Sequence, residues 1–160
     1  CVDRIDLNKL DSKGLYSSEV DKLSSIISSK KRLRNKLITL QRNFPKQYGK
    51  NSKFAIIEGR DIGTVIMKNA DIKFFFTCNL NTASKRRFNE LRKKNPKLKF
   101  KEVKKAMRIR NNLDRLRTIS PLIKPKNAVI VPTDKLKNIK GMIKRMSKFV
   151  DIELTKKYGN

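Results

Sequence analysis

Six residues, Ile72–Thr77 (IKFFFT), constrain the fold more than any other stretch of this chain. The run is apolar on both alternating faces apart from Lys73, the pattern of a parallel strand covered on both sides. Asn127–Val131 (NAVIV) reads as a second such strand, and Lys53–Glu58, ending at Gly59, as a third. Thr64–Met67 is a shorter extended candidate.

Helical periodicity fills the intervals. From Ser17, the residues Val20, Leu23, Ile26 and Ile27 share one face, until Ser28-Ser29 interrupts. A helix over about 30–43 turns Leu33, Leu37 and Leu40 inward, and Pro45 to Lys53 reads as a loop. Asn81 or Thr82 can cap a helix to about Lys94 that buries Ala83, Phe88 and Leu91. Beyond Pro96 comes a helix over about 101–110, continuing irregularly towards Arg117 and closed by Ser120-Pro121. The last helix, about 135–149, carries the stripe Leu136, Ile139, Met142, Ile143, Met146 and Phe149. Strands alternating with helices predict an α/β fold with a parallel sheet. The expected divisions are 1–52, helices leading into the core; 53–150, the α/β part with a basic segment at about 95–120; and 151–160, a polar tail.

Charge restricts the partners. Lys and Arg number 41 against 14 Asp and Glu, a net charge of +27, so the chain is drawn to phosphates, nucleotides and RNA. Lys85–Arg108 alone holds 12 Lys and Arg with only Glu90 and Glu102 opposing them. Aromatic interleaving there is confined to Phe88 and Phe100, too little for a base-stacking platform. No histidine is present, which removes histidine-based triads and metal sites. Cys1 and Cys78 do not form a disulfide framework, and a reducing compartment fits them. No run approaches the about 20 apolar residues of a membrane span. The first residue is Cys, not Met, and the chain is expected to be a fragment or a processed product.

Two constellations carry possible chemistry. The first is Glu58-Gly59-Arg60-Asp61 with Gly63 and Thr64, beyond the carboxyl end of an expected strand, where parallel sheets bind ligands. Gly59 allows a close backbone approach, and Arg60 offers a planar fork to a phosphate. Asp61 suits a sugar hydroxyl or an amine, or it anchors a neighbouring arginine. A turn with a surface ion pair is the competing reading. The second lies in RIRNNLDRLR, where Arg110, Asp114 and Arg117 share a helix face at spacings of four and three. Two arginines held by an aspartate can converge on an oligophosphate; a solvated, salt-laced helix is the alternative.

The ordered run of these motifs resembles bacterial cytidylate kinases. FAIIEGRDIGTVIMKNADIKFFFT is similar to the family's GRDIGTV segment and the strand after it. SKRRFNEL resembles its arginine-rich helix start, and RIRNNLDRLRTISPL its lid. NAVIV resembles the strand before the last helix, and LYSSEVDKLSSIISSKKRLRNKLITLQRNF its CMP-side helices. The resemblance covers about residues 15–149. It implies a nucleoside monophosphate kinase-like parallel sheet of the P-loop class, and transfer of the ATP γ-phosphoryl group to CMP or dCMP with Mg²⁺. By position, Ser25, Arg34, Arg60, Asp61, Asp114 and Arg117 would face CMP. Arg60, Arg110 and Arg117 would be catalytic, and Arg110 with Arg86 or Arg87 would meet the ATP side. A bacterial cytoplasm is the implied location, with an organellar matrix as the alternative.

The chain departs from the family in several places. No GxxxxGK[ST] occurs in the 160 residues, so the ATP-phosphate cradle is missing and the fold is expected to be N-terminally truncated. Tyr16 stands where many members carry arginine, Asn111 where the lid has aspartate, Lys68-Asn69 for Pro-Asp, and Pro132 for the aspartate after the NAVIV strand. The expected function is therefore the acceptor-nucleotide and lid part of a (d)CMP kinase, inactive alone and completed by a P-loop polypeptide. Two readings compete with it: a basic kinase-fold remnant that binds RNA through Lys85–Arg108 as a ribonucleoprotein component, and an inactive fragment.

Overall fold

The computed structural model of the protein describes residues 18–28, 30–48, 54–136 and 138–159. The expectations for the irregular start, Gly14, Tyr16, the helix start at Ser17 and the 49–53 part of the loop lie outside the described residues, as do those for Ser29 and Lys53. In chain order the elements are α1 (Ser18–Ile27), α2 (Lys31–Tyr48), a π-helical turn (Ile62–Ile66), β1 (Phe74–Thr77), α3 (Leu80–Arg92), α4 (Phe100–Leu116), β2 (Val129–Pro132) and α5 (Ile139–Tyr158). The two strands pair in parallel, with Phe74 opposite Val129 and Thr77 opposite Pro132. α3 and α4 pack on each other within the crossover between them, as an α/β arrangement requires. No helix among the described residues is long and apolar enough to cross a membrane.

Local chemistry places these elements. Asn79, not Asn81 or Thr82, caps α3; its side chain accepts the Thr82 backbone N–H at 2.8 Å. Asp134 beyond β2 accepts the Asn79 N–H at 2.6 Å, while Arg86 of α3 donates to the Thr133 carbonyl at 2.6 Å. Together they bind the start of α3 to the end of β2. Asn138 caps α5 by accepting the Gly141 N–H at 2.7 Å. α5 lays Met142, Met146 and Phe149 over the sheet, and the Phe149 ring meets Phe74 edge-on at 5.6 Å.

Six expectations need correction. Residues 54–58 form no strand, and Ile56 is 99% exposed; no described strand pairs with them to complete a ladder. Thr64–Met67 belongs largely to the π-helical turn, closed by the Met67 N–H on the Ile62 carbonyl. Arg42 of α2 supports that turn by donating to the Ile66 and Val65 carbonyls at 2.9 and 2.8 Å, groups a strand would have given to a neighbour. β1 is not covered on both faces: Phe76 stays half exposed on one face and Ile130 of β2 on the other. α2 runs through Pro45 to Tyr48, and α5 runs on to Tyr158 through the stretch read as a polar tail. α4 is continuous to Leu116 where irregularity was expected.

The apolar core is small. Among the described residues only Ile66 and Val103 are buried hydrophobics, whereas Arg34, Asp61, Ser84, Asp114 and Ser120 are buried polar or charged ones. Leu40, read as inward-facing, remains substantially exposed, as do Leu23, Ile26 and Ile27 of the α1 face. Burying charge is costly unless it is paired, so this concentration of charged groups directs attention to one place in the fold.

Candidate functional site

Five segments converge on that place. The irregular segment from Phe54 delivers Arg60 and Asp61, α2 delivers Arg34, and the end of α1 delivers Ser28. α4 presents Arg110, Asn111 and Asp114 from one face, and the turn after α4 adds Arg117 and Ser120. The glycines of the motif are required by close approaches: a Cβ on Gly59 would lie 2.8 Å from Ile62 Cγ1, and one on Gly63 would lie 2.7 Å from Pro125 Cγ.

Asp114 is the hub. It is 2% exposed, and its carboxylate meets Arg60 Nη1 at 2.8 Å and Arg117 Nη1 at 3.3 Å, with Arg110 Nε at 4.0 Å. Arg60 Nη1 also donates to Asn111 Oδ1 at 3.1 Å, and Arg117 Nη1 to Ser28 Oγ at 3.1 Å. Asp61 forms the second centre, ion-paired with Arg34 and equally buried. Of the alternatives open to Asp61 in the sequence, the arginine anchor is the one this structure adopts. Ser120 joins the two centres, accepting Arg34 Nε on its hydroxyl at 3.2 Å and Arg117 Nε on its carbonyl.

Four arginines against two aspartates leave two positive charges in excess. Their exposures differ: the Arg34 and Arg117 side chains are 9% and 8% accessible, whereas those of Arg60 and Arg110 are both 32% accessible. The first pair is enclosed by the protein, whereas the second is about a third open to solvent. Burial pushes the Arg34 guanidinium below its ordinary pKa, and the Arg117 charge adds to this, while Asp114 opposes it. Such an array is suited to a phosphate, since guanidinium forks pair with phosphate oxygens. It does not suit Mg²⁺, because both carboxylates already face arginines and a hard cation needs free oxygen ligands. Among the described residues no three acidic or thiol side chains gather at any point.

The structure thus brings together Arg34, Arg60, Asp61, Arg110, Asp114 and Arg117. It sets Arg86 and Arg87 in other pairings, Arg86 with Thr133 and Arg87 with Glu90 at 3.0 Å. Ser25 lies on α1, but its side chain is outside what is described; Ser28, one turn further on, makes the contact to Arg117. Sequence reasoning missed Ser28 and Ser120 as members of the site, and noted Asn111 only as a departure. Asn111 had a signal, since it lies three residues before Asp114 on the same helix face. Ser28 and Ser120 act across the fold and had none.

The profile of the cytidylate kinase family matches residues 5–151. The cytidylate kinase of Pseudothermotoga lettingae is 36% identical over 119 residues, covering 74% of this chain and 51% of the relative. That of Bartonella quintana is 35% identical over 133 residues, covering 83% and 60%. That of Clostridium botulinum is 36% identical over 101 residues, covering 63% and 44%. The chain spans about half the length of the curated relatives it matches. The profile accounts for most of the sequence, including every arginine and aspartate of the buried cluster, and the chain belongs to the cytidylate kinase family.

Proposed function

We propose that this chain supplies the acceptor-nucleotide and lid side of a kinase that passes the γ-phosphoryl group of ATP to CMP or dCMP. The observation that carries the reading is the buried cluster of Arg34, Arg60, Arg110 and Arg117 around Asp61 and Asp114. Arg60 and Arg110, the accessible pair, reach the acceptor phosphate and the group in transfer. Arg34 and Arg117 line the site from behind, and Ser25 of α1 is a further CMP-side residue in this reading. Positioning and cationic stabilisation carry the rate in phosphoryl transfer, with no covalent intermediate on the protein. The segment at about 95–120 is the lid, within the 53–150 core, and residues 1–52 belong to the CMP side. Arg86 and Arg87 of α3, which pair here with Thr133 and Glu90, are assigned to the ATP side in this reading.

ATP and Mg²⁺ are held, in this reading, by a P-loop polypeptide outside these 160 residues. The unpaired apolar segment 54–58 and the half-exposed Phe76 of β1 support it, because both have the character of sheet surface awaiting a neighbour. Lid closure over both nucleotides excludes water and suppresses hydrolysis. The 160-residue chain alone, given CMP, ATP and Mg²⁺ in a coupled ADP assay, is expected to show no turnover. A rate in the ordinary enzyme range of about 1–10³ s⁻¹ would contradict this and reveal a donor site of another kind.

A further inference from the structure

We propose that Ser120 is a positioning residue that sets the spacing of the Arg34 and Arg117 guanidiniums, so that the site meets a nucleotide phosphate already shaped for it. The inference rests on the acceptor-nucleotide reading above and adds to it a residue that makes no contact with the nucleotide.

The starting observation is backbone strain. Ser120 has φ 55°, in the left-handed region that side chains with a Cβ rarely adopt, and Pro121 follows it. A strained residue persists only where its surroundings over-determine it, and such residues gather at functional sites. Here the surroundings are identifiable. The Leu122 N–H donates to the Asp114 carbonyl at 2.7 Å, folding the chain back onto the end of α4. The reversed backbone turns the Ser120 hydroxyl to Arg34 Nε at 3.2 Å and its carbonyl to Arg117 Nε.

Both bonds use Nε and not the terminal nitrogens. Holding Nε orients the guanidinium plane and leaves the Nη groups for other partners. For Arg34 that partner is Asp61; for Arg117 they are Asp114 and Ser28. The two guanidiniums repel each other, and the Arg117 charge is one of the causes that depress the Arg34 pKa. One residue that accepts from both opposes their separation. Without it, the two arginines would move apart, and the wall they form behind Arg60 and Arg110 would have to be re-ordered as a phosphate binds, at a loss of affinity.

Two variants in the intact protein separate this role from ordinary structural support. Ser120→Gly removes the hydroxyl and relieves the backbone, since glycine takes positive φ freely. It is expected to weaken CMP binding by roughly tenfold, the effect of one hydrogen bond to a charged group, with the thermal midpoint unchanged or raised. Ser120→Asn tolerates the same backbone and restores an acceptor oxygen, and is expected to recover most of the affinity. CMP binding by Ser120→Gly equal to that of the unsubstituted protein would overturn the proposal. So would a parallel fall in midpoint and affinity, which marks structural support alone. Should the unsubstituted protein take up no CMP, the acceptor-nucleotide reading fails by itself, and nitrogen-15 NMR of the arginine side chains decides the brace. An Arg34 Nε–H protected from exchange in the unsubstituted protein and exposed in Ser120→Gly supports it; equal exchange in the two overturns it.

Discussion

Asp114→Ala is expected to cost the protein about 3 kcal/mol of folding stability, at the lower end of the range for breaking a buried ion pair. The carboxylate is almost fully buried and faces three arginines, so its loss leaves cations without their counter-ion. The lower end applies because Arg60 and Arg110 are partly accessible and can turn to water. Arg117 cannot, because its side chain is 8% accessible and is held at Ser28 and Ser120. Domains of this size are stable by only about 5–15 kcal/mol, and the small apolar core argues for the lower part of that range. Most of the folding margin is therefore at stake in this one side chain. Asp114→Asn preserves shape but not charge and is expected to be nearly as damaging. Urea unfolding of the two variants measures the effect; midpoints indistinguishable from the unsubstituted protein would show that Asp114 does not hold the cluster together.

Arg60→Ala is expected to separate binding from folding. Arg60 is the arginine placed by the GRD motif, and its guanidinium is a third accessible. Its removal leaves Asp114 with Arg117 and Arg110, so no buried carboxylate is stranded. A phosphate facing the site, in contrast, loses one or two charge-assisted hydrogen bonds. The expected loss of CMP affinity is about 1.5–3 kcal/mol, or roughly 10- to 150-fold. Stability should fall by clearly less than in Asp114→Ala. The reverse ordering, with a large stability loss and unchanged CMP affinity, would make Arg60 a structural ion-pair residue.

The parts of this site legible in the sequence are those set by local spacing. Arg110, Asp114 and Arg117 are four and three residues apart, and the spacing brings Asp114 within reach of Arg110 along α4 and of Arg117 at its C-terminal end. The GRDIG segment was legible because its glycines and charges are contiguous. What depends on distant residues was not. The π-helical turn replaces an expected strand because Arg42, on another element, takes its carbonyls. Residues 54–58 have strand composition but remain unpaired, because pairing is a property of two segments and composition of one. The left-handed backbone at Ser120 has no signature in Ser-Pro, and its value emerges only when α2 brings Arg34 against it. Helix ends were misjudged for a similar reason: Pro45 usually stops a helix, yet α2 passes through it.

A calorimetric titration of the intact protein with CMP tests most directly whether the arginine–aspartate cluster is a nucleoside monophosphate site. Saturable binding of one CMP is expected, undiminished by a single-stranded RNA oligomer at moderate salt, when backbone attraction to the lysine-rich surface of α3 and α4 is screened. Absence of CMP binding, with RNA taken up and retained at high salt, would contradict it and assign the basic chain to a ribonucleoprotein role instead.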